Sequence, residues 1–191
     1  MLEVRWEAGR LVLNSAQSNQ SFGSLHRVWA DVLTRVVKTH GAPESVLLLG
    51  LGGGSAAWIL RRELGIAMPI TAVEIDPVMI GLARDHFGLD EHSGIHVLEG
   101  DATVLVHGMR DRFDLVLVDL FDDLDLARGV DTMGFAHALR DRCAGTLCFN
   151  TVGFDETSDR RCDRVNQNLE RIFTSVDEWR LEDVNRVFIA R

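Results

Sequence analysis

The chain of 191 residues has no tyrosine, and its three cysteines, Cys143, Cys148 and Cys162, form no CxxC pair. An odd number of thiols without metal or redox spacing argues against a disulfide framework. It points to buried thiols in a reducing compartment, and the cytoplasm is the expected location. Long apolar runs are missing too: none approaches the ~20 residues needed to cross a bilayer, so no membrane partner is expected. The N-terminus, MLEVRWEAGR, is charged and lacks the apolar core of a secretory leader. There is no basic excess either. Twenty lysines and arginines against 29 acids leave a formal net charge of −9. That argues against non-specific binding to nucleic acid or anionic membranes and suits a small or cationic substrate. The 7 histidines form no metal spacing, so no metal is expected.

What is present is a globular composition, 46% apolar, at a length that suits one well-cored domain. The chain is organised around residues 46–77, VLLLGLGGGSAAWILRRELGIAMPITAVEIDP. An apolar strand, Val46 to Leu49, meets a glycine cluster at Gly50, Gly52, Gly53 and Gly54. A helix follows from about Ser55 to Leu64, then a strand from Ile70 to Val73 that ends at Glu74. Strand, glycine turn, helix, strand and acid make the nucleotide-binding half of a doubly wound α/β sheet. Glycines allow positive φ and close approach of a ligand. The acid at the second strand's carboxyl end can accept hydrogen bonds from two ribose hydroxyls.

Ahead of this unit, alternation at Leu2, Val4 and Trp6, a turn at Ala8-Gly9 and the run Leu11 to Leu13 predict a β-hairpin. A polar loop over residues 14–24 and a helix from about Leu25 to Lys38 follow. After Glu74, Asp76-Pro77 opens a helix that Gly88 stops. Further strands are expected at Ile95 to Leu98, Phe113 to Val118 and Gly145 to Thr151. Helices are expected at Val104 to Met109, Thr132 to Cys143 and Arg160 to Phe173. The last two strands, near Val176 to Leu181 and Asn185 to Ala190, have too little chain between them for a helical crossover and must be antiparallel. The expected fold is therefore α/β, a Rossmann-like seven-stranded sheet of the S-adenosylmethionine (SAM)-dependent methyltransferase kind with a short N-terminal β-hairpin. Residues 1–24 form the hairpin and polar loop, and residues 25–191 the SAM-binding domain.

The segments VLLLGLGGGS, VEIDPVMIGLARDHFGL, HVLEGDA and FDLVLVDLFDD, in that order and spacing, resemble the spermidine synthase branch of the SAM-fold transferases. The likeness covers roughly residues 45–152. Leu48 stands where ordinary methyltransferases place an acid, as in the synthase branch. The resemblance implies that Gly50, Gly52 and Gly54 pass beneath the amino-acid or aminopropyl end of the ligand. It implies that Glu74 holds the ribose, that Ile75 packs on the adenine, and that Asp101 and Ala102 meet the adenine edge. Asp119 and Asp122 match the two acids of the family's catalytic loop, where a carboxylate binds an ammonium and takes its proton. Read from residues alone, Asp101 is equally a helix cap. Asp123 and Asp125 are helix-capping or solvated acids, and Trp29 is core.

This chain departs from the family in its acceptor half. Gly53 replaces an acid in the glycine run. Asp123 replaces a proline. Leu25 stands where an amine-holding tyrosine is expected, and Arg27 where its acidic neighbour is, so Arg27 is expected to repel a polyamine. Gln17 lies about where the family has a residue near the ligand's tail, and His26 falls near the site as a packed histidine. The implied activity is transfer of an aminopropyl or methyl group from decarboxylated SAM or SAM to a small acceptor, an amine among the candidates. The alternatives are a plain small-molecule SAM-dependent methyltransferase and a non-catalytic adenosyl-binding protein. A nicotinamide enzyme is disfavoured because Ser55 falls on the third glycine of G-x-G-x-x-G. The exposed hairpin can pair with a second copy, giving a homodimer.

Overall fold

The computed structural model describes residues 3–7, 9–14, 19–21 and 23–191. The predicted hairpin is present: β1 (Glu3–Glu7) and β2 (Arg10–Asn14) pair antiparallel, with Val4 opposite Leu13. A third strand, β3 (Asn19–Ser21), pairs with β2 inside the stretch expected to be loop. This small sheet packs through Val4, Leu11 and Leu13 against Met79 and Phe87. Helix α1 (Ser24–His40) buries Val28, Trp29, Val32, Leu33 and Val36, the face that its 3.6-residue periodicity predicts. Gly41 ends it with φ of 86°.

The central sheet contains β4 (Val46–Leu49), β5 (Ile70–Glu74), β6 (Ile95–Glu99), β7 (Phe113–Val118), β10 (Cys143–Val152), β11 (Val176–Leu181) and β12 (Asn185–Ala190). Their order is β11-β12-β10-β7-β4-β5-β6. The first five are parallel, and β12 and β11 form the expected antiparallel end. Side chains alternate between the two faces. Val46 and Leu48 join one core with α1 and α2 (Ser55–Trp58), while Leu47 and Leu49 join another with α4 (Ala102–Gly108), α5 (Met133–Arg142) and α6 (Glu156–Glu170). Burial on both faces explains the nearly unbroken apolar runs. α2 widens into a π-helical turn, Ile59–Glu63, in which the Leu64 N–H donates to the Ile59 carbonyl at 2.9 Å.

Helix α3 (Pro77–Phe87) starts and stops where expected. Asp76 caps it by accepting from the Val78 N–H at 2.8 Å, and Gly88 ends it at φ 66°. Other boundaries move for local reasons. α4 starts at Ala102 rather than Val104 because Asp101 caps it. α6 starts at Glu156 rather than Arg160 because Asp155 and Ser158 form a capping box. The acidic stretch after β7 is a tight hairpin of β8 (Phe121–Asp122) and β9 (Asp125–Leu126), with Asp123 at φ 58°. Asp123 and Asp125 therefore cap no helix; Thr132 caps α5. All three cysteines are buried and free, and burial pushes the Cys143 thiol up to about 11. Among the described residues no helix is long and apolar enough to cross a membrane.

Candidate nucleoside-binding site

Sheet order reverses at β4, and the crevice expected at such a switch point is present. The ladder runs one bond past each strand. Gly50 donates to the Val73 carbonyl (2.9 Å), Asp119 to that of Leu49 (2.8 Å) and Gly100 to that of Glu74 (2.8 Å). Three turns are thereby held side by side around a cavity of about 840 Å³.

Gly50 and Gly52 line this cavity. Gly50 has φ 92°, and a Cβ there would sit 2.1 Å from the Asp119 carbonyl oxygen, so only glycine allows the β4 and β7 turns to cross. The Gly52 N–H donates to Glu74 Oε2 at 3.0 Å. Gly54 does not line the cavity; it caps α2 in the left-handed conformation. Glu74 is held by three backbone amides, since Oε1 also accepts from Ile75 (2.9 Å) and Asp76 (3.1 Å). It ties the glycine turn to the end of β5, and Oε2 keeps acceptor capacity for a hydroxyl. Burial raises its pKa above the ordinary carboxylate range, and the three amides offset part of that. Ile75 is 64% exposed at the cavity wall, an apolar surface open to a flat ring. Asp101 Oδ1 accepts from the Thr103 N–H (2.8 Å) and Oγ1 (2.7 Å), so the cap is real. Oδ2 makes no hydrogen bond among the described residues, and Ala102 lines the cavity beneath it.

Asp119 also lines the cavity, and both of its carboxylate oxygens are paired. Oδ2 accepts from Trp29 Nε1 at 2.8 Å and Oδ1 from Asn150 Nδ2 at 2.9 Å. Asn185 Nδ2 in turn donates to Asn150 Oδ1 at 3.0 Å. Burial pushes the Asp119 pKa up; Asn150 and Trp29 pull it down, and the charge of Glu74 adds to the rise. Sequence reasoning missed Trp29, Asn150 and Asn185 as site residues. The signal for Asn150 was an asparagine inside the apolar strand TLCFNTV, because a fully buried amide must find partners.

Asp122 is exposed and lines the cavity, as does Asp123; Asp125 does not. Leu25, at the start of α1, forms part of the wall. Arg27 does not. It points outward and pairs with Glu182 at 2.6 Å, so the expected repulsion of a polyamine by Arg27 is corrected. His26 is 4% exposed, turns to Glu63 at 2.8 Å and lies off the cavity. Gln17 lies outside the described residues. Among the described lining residues, Glu74, Asp76, Asp101, Asp119, Asp122 and Asp123 face one cation, Arg128. No group of three or more histidine, cysteine or acidic residues among the described residues could hold a metal ion.

A seven-stranded sheet of this order, with a glycine turn tied to an acid at its switch point, is the Rossmann-like fold of the SAM-dependent methyltransferases. A probable spermidine synthase from Corynebacterium glutamicum superposes with a TM-score of 0.81 at 15% identity, over 99% of this chain and 76% of that one. Human methyltransferase-like protein 13, in complex with SAH, superposes with a TM-score of 0.69 at 22% identity, over 89% and 82%. In sequence, the chain is 32% identical over 179 residues to the eEF1A lysine and N-terminal methyltransferase homolog of Drosophila pseudoobscura pseudoobscura, covering 85% of this chain. It is 36% identical over 94 residues to the polyamine aminopropyltransferase of Chromobacterium violaceum, covering 49%. It spans only 26% and 36% of the lengths of those two relatives. No family model matches the chain. Within the superfamily, its sequence likeness is to the spermidine synthase-like branch.

Proposed function

We propose that the chain is a SAM-dependent transferase of the spermidine synthase-like kind, which binds SAM or decarboxylated SAM and moves a methyl or aminopropyl group to an amine. The observation that carries this reading is the Gly52–Glu74 hydrogen bond, which brings the glycine turn and the acid together in one wall of the cavity. The residues present fit an adenosyl ligand. Glu74 Oε2 would take a ribose hydroxyl, Ile75 and Ala102 would bracket the ring, and Asp101 Oδ2 would accept from its amino group. When bound, SAM supplies a carbon activated by its sulfonium. The chain supplies placement, charge and a proton acceptor. The acidic cavity favours a cationic ligand, and Asp119 would hold an ammonium and take one of its protons at a carboxylate oxygen.

Calorimetric titration of SAM, decarboxylated SAM and NAD tests the reading. We expect SAM or its decarboxylated form to bind and NAD not to. Glu74→Ala should weaken adenosyl binding by about 1–3 kcal/mol, the scale of a lost charge-assisted hydrogen bond. Unchanged affinity in that variant would remove Glu74 from the ribose site. A second reading, plain methyl transfer to a small molecule, is favoured by Leu25, which puts an apolar side chain on the cavity wall where the resemblance implies an amine-holding tyrosine.

A further inference from the structure

We propose that Trp29, Asn150 and Asn185 are positioning residues for the Asp119 carboxylate, fixing its rotamer toward the cavity and stabilising its charged form without cancelling its charge. The inference rests on reading Asp119 as the group that meets the acceptor amine. The three residues come from α1, β10 and β12, so the clamp exists only once the sheet has closed with its antiparallel end. Trp29 is 1% exposed, Asn150 0% and Asn185 9%, so water does not compete for these bonds.

Each Asp119 oxygen takes one neutral donor, and among the described residues no cation touches either one. An arginine partner would hold the carboxylate ionised but would neutralise it. An indole N–H and an amide N–H favour the anion and leave its full charge facing the cavity. The amide of Asn150 could present either its NH₂ or its carbonyl to Asp119, and a carbonyl would repel the anion. Asp119 calls for the NH₂, and Asn185, donating to Asn150 Oδ1 at 3.0 Å, supports the orientation in which the NH₂ faces Asp119. A residue on the last strand thus supports a donor on β10.

The charged groups around Asp119 work against ionisation. Glu74 stands at the end of β5, Asp101 at the start of α4, Asp76 at the start of α3, and Asp122 and Asp123 in the adjoining hairpin, with Arg128 as the one cation among the described lining residues. With burial and these neighbours favouring the protonated acid, the two donors decide the balance, and losing one should tip it.

The test follows the carboxyl ¹³C resonance of Asp119 against pH in the full chain without ligand, assigned by its absence in Asp119→Asn. Trp29→Phe keeps an aromatic ring and deletes the N–H. Its midpoint should rise by about one pH unit, a tenfold gain in proton affinity. Asn185→Ala frees the Asn150 amide and should raise the midpoint by a smaller amount, and it decides the matter if Trp29→Phe does not fold. A residue that merely packs would leave the midpoint where it is, so wild-type midpoints in the folded variants would overturn the proposal. SAM titration of the wild type is read separately: failure to bind would count against the proposed function, while the ligand-free midpoints report only on the clamp.

Discussion

Asp119 sets burial against charge in a single side chain. Burial and the nearby Glu74 raise its pKa, so the native state holds its proton more tightly than the unfolded chain does. By linkage, its contribution to stability is full below the unfolded carboxyl value of ~4 and is lost as pH rises through the higher folded value. Asp119→Asn carries no such proton. The stability difference between variant and wild type, measured by thermal melts from about pH 4 to 7, should therefore move in the variant's favour as pH rises. A difference that moves the other way would mean that the clamp outweighs burial. The same substitution keeps the shape of the site and removes the charge. Adenosyl binding should survive, while turnover of an identified acceptor falls by ~10²-fold or more. Asp125→Asn, off the cavity, should match the wild type in that assay.

Elements were legible where their signals are local. The parallel strands announce themselves as apolar runs, α3 by Asp76, Pro77 and Gly88, and the last hairpin by its short connection. That Gly52, Glu74, Ile75 and Ala102 come together at one cavity was readable for the same reason, because they lie within motif segments of the chain. What escaped depends on partners far away in sequence. The donors to Asp119 come from residues 90 and 31 positions distant. The acidic hairpin is held from outside too. Arg161, on α6, donates to the Leu126 carbonyl (2.5 Å) and the Ala127 carbonyl (3.0 Å) and pairs with Asp131 at 3.1 Å. Both members of that pair are largely buried, with side chains 20% and 14% exposed. Burial alone would raise the Asp131 pKa, but Arg161 and Arg164 outweigh it and hold the carboxyl below its usual value. This contribution is present above ~4 and lost as pH falls through the folded value, opposite in sign to that of Asp119. Arg161→Ala should cost about 1–3 kcal/mol in urea unfolding, because it strands two carbonyls while Arg164 keeps its pair with Asp131 at 2.8 Å. Amide exchange over residues 121–128 should accelerate with it. A loss below ~0.5 kcal/mol with unchanged exchange would show that the hairpin stands without Arg161.

At the scale of the whole molecule, charge points to the acceptor. The chain carries a net charge of −9, and the described lining of its cavity holds six carboxylates against one guanidinium. Such a field draws in cations and repels anionic acceptors. With Arg27 turned outward onto Glu182, nothing basic in α1 opposes an amine at the cavity wall. The departures that remain are Leu25 on the wall and Gly53 in the turn. Leu25 offers no hydroxyl to orient a flexible diamine, and Gly53 offers no acid for the amino end of decarboxylated SAM. Both losses bear on aminopropyl transfer more than on methyl transfer, which needs only a placed amine lone pair and an acceptor for its proton. Putrescine with decarboxylated SAM should therefore yield spermidine well below ~1 s⁻¹, the low end of ordinary enzyme rates. Cationic amines screened with SAM by mass spectrometry should give the methylated product, whereas carboxylate and phosphate acceptors should not. Spermidine formation at ~1 s⁻¹ or faster would show that the Asp119 clamp and the acidic hairpin orient a diamine without the missing hydroxyl, and the aminopropyl reading would then prevail.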